Sequence, residues 1–253
     1  AKTSLTWALW FVAVFAPLQA YLGDRQGLAV LDQQPTKLAA IEANWETGGD
    51  KPLILFAWPD EVAEENLYEI AIPRLGSLIL THSWGGEVPG LSDVAPEERP
   101  PVKPVFFAFR IMVALGLLMI GLGFWSLWLR FRGRLFDSPL FLRACVAMTP
   151  AGFTAILAGW YTAEIGRQPY VVYGLLRTVD AASPVRAEAV AGTLLAFIVA
   201  YAAVFGAGTY YLFKILRRGP EHQRRLRVVD DCRGRLVHQP AADRDALLLV
   251  GLG

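Results

Sequence analysis

The run PVFFAFRIMVALGLLMIGLGFWSLWL occupies residues 104–129, between Lys103 and Arg130, and holds a single charge, Arg110. As a helix it reaches about 39 Å, more than the ~30 Å of bilayer hydrocarbon. A helix in a soluble core would carry a polar face. This run has none, so its solvent is lipid. Three further runs share the pattern: Thr3 to Gly23, Ala144 to Ala163, and Ala189 to Phe213. Pro17 and Pro150 lie inside spans, which membrane helices tolerate when neighbours satisfy the freed carbonyls. The chain divides into spans at 1–23, 104–129, 144–163 and 189–213, joined by segments 24–103, 130–143 and 164–188, with a tail at 214–253. The expected fold is an all-α integral membrane protein: four transmembrane helices of a larger helical bundle, with a long outer loop containing short helices.

The connections set the orientation. Residues 24–103 carry fourteen Asp and Glu against six Lys and Arg. The 130–143 link carries four Arg against Asp137, and 214–235 carries eight Lys and Arg against three acids. The positive-inside rule puts the chain start, the short link and the tail in the cytoplasm, with 24–103 and 164–188 outside. A net charge of +1 points to no nucleic-acid partner. Cys145 and Cys232 lie in different segments without metal-ligand spacing, so neither a disulfide nor a zinc site is expected. Thr3–Gly23 leads into no small-residue cleavage site, and the start at Ala1 is expected to be a cut through a larger protein.

The outer loop is too long for a mere connector. Pro35 suits a first helical position, and Leu38, Ile41 and Trp45 would share one apolar face of a short surface helix. Leu75 to Leu80 is too short to span, and residues 94–104 look like a linker.

Several residues do not belong in lipid. Arg110 sits ~9 Å inside its span. It either faces the protein interior and meets an anion, or snorkels to the outer headgroups. Met112, two residues on, points to a different side, and spacing alone makes it a packing residue. Trp160, Glu164 and Arg167 recur at i, i+4, i+7 on one helix face, where the last two could form a plain interfacial ion pair. Lys37 and Glu42 lie ~140° apart on a helix and by spacing alone are two solvated charges. His82, His222 and His238 all lie outside the spans, so the apolar spans contain no imidazole.

Three motifs resemble subunit I of the cytochrome bd quinol oxidases: GWYTAEIGRQP at 159–169, FRIMV at 109–113 and QPTKLAAIE at 34–42. The resemblance runs from residue 1 to about 220, and the short loop from Ile72-Pro73 through Pro101 is similar to the cyanide-insensitive subgroup. It implies a respiratory terminal oxidase of the bacterial cytoplasmic (inner) membrane, oxidising quinol outside and reducing oxygen to water. Residues 24–103 would be the periplasmic quinol loop, with Lys37 and Glu42 serving quinol oxidation. Met112 would ligate the iron of low-spin haem b, with Arg110 on its propionates. Glu164 would ligate high-spin haem b, Arg167 would hold propionates there, and Trp160 would lie on the electron path. The third haem would be haem d or a second haem b. Implied partners are ubiquinol or menaquinol, oxygen, subunit II, the N-terminal half of subunit I and the lipid bilayer. The rival expectation is a haem-free membrane scaffold or transporter fragment, or an inactive remnant.

Overall fold

The computed structural model describes residues 2–182 and 184–237, with side chains to residue 217. It is mostly helical, and four helical stretches are long and apolar enough to cross a membrane: Lys2–Gln33, Pro96–Phe131, Pro139–Ile165 and Ala187–Arg217. In chain order the elements are α1 (Lys2–Gln33), α2 (Pro35–Glu42), β1 (Leu53–Asp60), β2 (Glu65–Ile72), α3 (Leu75–Thr81), α4 (Val102–Phe131), α5 (Pro139–Ala147), α6 (Ala151–Ile165), β3 (Tyr170–Val172), β4 (Leu176–Arg177) and α7 (Ala187–Val237). Residues 2–182 form one compact unit, and α7 belongs to a second.

In the first unit α4 is the central helix, packed on one side by α1 and on another by α6. Glycine permits both approaches. A Cβ on Gly123 would stand 3.0 Å from the Ala13 Cα of α1, and one on Gly159 of α6 would stand 2.8 Å from the Met112 Sδ of α4. At one end of these helices Leu9, Leu129, Leu135 and Phe141 are buried together. There Arg130 Nη2 donates to the Thr6 carbonyl at 3.0 Å, and Lys2 lies over the Phe136 ring. At the other end α2 packs through Ala39, Ala40 and Ala43 against Val102 and Phe106 of α4. The 24–103 segment also meets the 164–182 segment at this end. Thr36 Oγ1 and Tyr173 Oη are 2.7 Å apart, and Arg177 pairs with Glu98 at 2.9 Å.

Several boundaries differ from the sequence expectation. The first helix does not stop at Gly23 but continues to Gln33. Residues 24–33 mix charged and apolar side chains and contain no proline, and the break comes where Pro35 pushes Gln34 out of the helical region. The 24–103 segment holds a β-hairpin as well as short helices. β1 and β2 pair antiparallel from Leu53↔Ile72 to Asp60↔Glu65, and Asp60 Oδ1 accepts from the Val62 and Ala63 amides in the turn. Leu, Ile, Phe, Trp and Tyr dominate these strands, as a pleated surface favours. Trp45 does not share a helix with Leu38 and Ile41: α2 ends at Glu42, Ala43 turns left-handed at φ 50°, and Trp45 is buried with Ala39 and Ala40 of α2 all the same.

The 94–104 stretch is not a bare linker but contains short 3₁₀ turns, and α4 starts at Val102. The third span begins at Pro139, earlier than Ala144, because Ser138 caps it by accepting from the Phe141 amide. Its continuity breaks before Pro150, which has no amide hydrogen to donate. The 164–188 segment holds the β3–β4 pair. The fourth helix passes Phe213 and runs to Val237, since its Lys-, Arg- and Leu-rich continuation favours helix and Pro220 removes only one backbone bond. The rest of the expected tail, 238–253, including His238, lies outside the described residues.

Candidate functional site

The α2 helix carries two of the singled-out residues to different neighbours. Glu42, at its last position, meets Arg110 of α4: Nη2 donates to Glu42 Oε2 at 3.0 Å. The same guanidinium donates to the Ile41 carbonyl from Nη1 at 2.6 Å. It also donates to the Ile54 carbonyl from Nε and Nη2 at 3.0 and 2.7 Å. Its plane lies 3.6 Å from the Phe106 ring centroid. The anion that an intramembrane arginine requires is therefore a carboxylate of the 24–103 segment. Glu42 is 12% exposed. Burial pushes its carboxyl above the ordinary carboxylate range, while the charge and hydrogen bond of Arg110 pull it back.

Lys37 points instead to α6. Its Nζ donates to the Ala163 carbonyl at 3.3 Å, and its stem passes Gly166, whose missing Cβ leaves room for Cγ. Burial lowers the Lys37 ammonium pKa, the positive charge of Arg167 lowers it further, and Glu164 opposes both. Arg167, in the turn after α6, pairs with Glu164 three residues earlier. Lys37, Glu164 and Arg167 thus gather at the C-terminal end of α6. Lys37 and Glu42 are not brought together, as their angular separation on α2 foretold.

The two sets differ in how they suit a haem. Arg167 Nε is buried without an acceptor, so an anionic group beside it would complete its bonding. Glu164 beside it is 44% exposed, and Trp160 on α6 is exposed. A carboxylate donor, an unfilled guanidinium N–H and an open aromatic face fit haem at this end. The Met112 thioether, half-buried against Gly159, is a soft donor that fits an iron centre. Arg110 fits propionates poorly, because four N–H···O contacts already go to protein oxygens. Among the described residues no three His, Cys, Asp or Glu cluster as a metal site. A macrocycle-held iron needs only axial donors from protein.

Sequence reasoning missed the carbonyls of Ile41 and Ile54, Tyr173, and Glu61, whose Oε1 accepts from the Val102 and Lys103 amides and caps α4. It also missed a cavity of about 260 Å³ beside the hairpin, with Glu42, Glu46, Lys51, Asn66 and Glu69 in its wall. Only the acidity of the outer segment hinted at it.

Comparisons with known proteins agree on one family. The family described as cytochrome bd terminal oxidase subunit I matches residues 1–220. The chain is 36% identical to "Cytochrome bd ubiquinol oxidase subunit 1" of Bacillus subtilis (strain 168) over 214 residues, covering 79% of this chain and 45% of that protein. It is 26% identical to "Cytochrome bd-II ubiquinol oxidase subunit 1" of Escherichia coli (strain K12), covering 83% and 53%. The solved bd oxidase from Geobacillus thermodenitrificans superposes with a TM-score of 0.73 at 32% identity, covering 87% of this chain and 50% of that one. The chain spans about half the length of the curated relatives it matches. With a family match over 220 residues and a shared helical membrane fold, this chain belongs to the cytochrome bd terminal oxidase subunit I family.

Proposed function

We propose that this chain forms part of the haem-bearing subunit of a respiratory quinol:oxygen oxidoreductase in the bacterial cytoplasmic membrane. The observation that carries the reading is the Arg110–Glu42 pair, which fixes a buried carboxylate of the outer segment to the helix bearing Met112. Glu42 would take a proton from a quinol hydroxyl, either ubiquinol or menaquinol. A carboxyl held above its usual range by burial suits a base working nearer neutrality. Lys37 would contribute to quinol binding from the other side of α2. Met112 and Glu164 would be axial donors of low-spin and high-spin haem b, with Arg167 holding propionates and Trp160 beside the electron path. Bound haem, including haem d or a second haem b, would supply the one-electron and oxygen chemistry. Arg110 would act through Glu42 rather than on propionates.

The sidedness has support beyond charge. The acidic 24–103 segment and the 164–182 segment share one end of the α1–α4–α6 group, and the arginine-rich 130–143 link shares the other with the chain start. Quinol protons would therefore be released outside, contributing to the proton gradient. Subunit II, the remainder of subunit I and lipid would complete the complex.

The test is quinol-dependent oxygen uptake by membranes holding the intact oxidase, with a reduced-minus-oxidised spectrum of the same membranes. Wild type should show both, and Glu42→Gln should keep the haem bands while losing uptake. Membranes with neither a Soret band nor uptake would instead support the haem-free scaffold.

A further inference from the structure

Glu42 is 12% exposed and lines the cavity beside the hairpin, whose volume of about 260 Å³ is room for several water molecules. The exposed carboxylates Glu46 and Glu69 share its wall. Asn66, in the same wall, is held in place: its Nδ2 donates to the Ala43 carbonyl at 3.0 Å and reaches Glu69 Oε2 at 3.4 Å, while its Oδ1 accepts from Trp45 Nε1 at 3.1 Å. Glu64, also in the wall, is engaged by Ser92 and Arg99 and has no free role. On the membrane side the Arg110 guanidinium puts a fixed positive charge behind Glu42.

We propose that this cavity is the proton exit of the quinol site, with Glu46 and Glu69 relaying protons from Glu42 to the outer medium. The inference rests on the proposed role of Glu42 and extends it. The carboxylate of Glu42 takes a quinol proton and passes it to a cavity water. That water hands a proton to Glu69 or Glu46, and the rim carboxylates release it outside. Glu42 returns to its ionised form each time, both quinol protons leave this way, and the haem that the proposed reading assigns to the complex would supply the electron acceptor. Arg110 disfavours a proton moving back toward the membrane, because like charges repel most strongly where water is excluded.

The experiment compares steady-state quinol oxidation by the intact complex in H₂O and D₂O for wild type, Glu42→Gln, Glu46→Gln/Glu69→Gln and Glu46→Asp/Glu69→Asp. The rim residues are exposed, so the isosteric amides spare the fold, and the haem spectrum checks assembly. The double amide variant should lose about tenfold in kcat. Its solvent isotope effect should rise, its quinol KM should stay unchanged, and the double Asp variant should recover. If the double amide variant matches wild type while Glu42→Gln is defective, the exit lies elsewhere and the role of Glu42 survives. A raised KM with an unchanged isotope effect makes the cavity a quinol pocket and overturns the relay. Wild-type rates for Glu42→Gln overturn both readings.

Discussion

Arg110 and Glu42, 68 residues apart in sequence, form an ion pair 3.0 Å long that ties α2 to the central membrane helix α4. Both are largely buried, at 16% and 12% exposure, so the pair is held where losing one partner leaves the other stranded. Arg110→Gln should lower stability by about 3 kcal/mol, by the cost of orphaning a buried charge. Glu42→Gln should cost less, since its amide oxygen still accepts from the guanidinium. Thermal unfolding of the purified complex, run as a double-mutant cycle, measures the coupling; additive effects would rule it out.

The buried carboxyl also sets a pH dependence. Burial raises Glu42 above the ordinary carboxylate range, and Arg110 lowers it in part. The folded state thus favours the protonated form. The stability Glu42 contributes is complete below the ordinary carboxylate range and is lost as pH rises through the raised value. Activity runs the other way, because only the ionised form accepts a proton. Quinol oxidation should climb with pH through that window, and Arg110→Gln should move the rise to higher pH. A pH–rate profile of the variant overlying the wild type would disprove this.

Met112 rests against Gly159, where an added Cβ would stand 2.8 Å from the thioether sulfur. Met112→Leu should abolish the low-spin haem b band in the reduced-minus-oxidised spectrum. Gly159→Ala should shift that band without removing it, because the methyl displaces Sδ rather than deleting it. Spectra unchanged in both variants would make Met112 a packing residue only.

Much of this was legible in the sequence, and the failures have physical causes. Uninterrupted apolar runs announce spans because no soluble surface tolerates them. Helix ends were less legible. Asp24 marks a change of solvent, not of backbone, so α1 continues to Gln33. The β1–β2 hairpin was missed because Pro59 and bulged pairing at Phe56 blur its alternation. The anion facing Arg110 was demanded by its depth, yet only tertiary structure could name Glu42.

Glu61 belongs to the hairpin turn, yet its carboxylate receives the first amides of α4 at 3.1 and 3.2 Å. A side-chain acceptor at a helix start, with negative charge on the positive end of the dipole, contributes about 1 kcal/mol. Glu61→Ala should lower the unfolding midpoint of the complex modestly, and Glu61→Gln should recover the hydrogen-bonding share. Hydrogen exchange at residues 102–105 reads the loss directly; unaltered exchange in Glu61→Ala would show that water replaces the cap.

The hairpin turn of the 24–103 segment is open to solvent, with Val62 95% exposed. Chain on both sides of it is independently fastened: β1 by the Arg110 bonds to Ile54, and the stretch after β2 by the Arg177–Glu98 and Arg99–Glu64 pairs. A protease cut at Val62 would therefore leave a nicked chain whose two pieces stay together until denatured. The same position could host an inserted epitope or a fluorophore without loosening α2, which would let antibody access on intact cells report the sidedness of the protein.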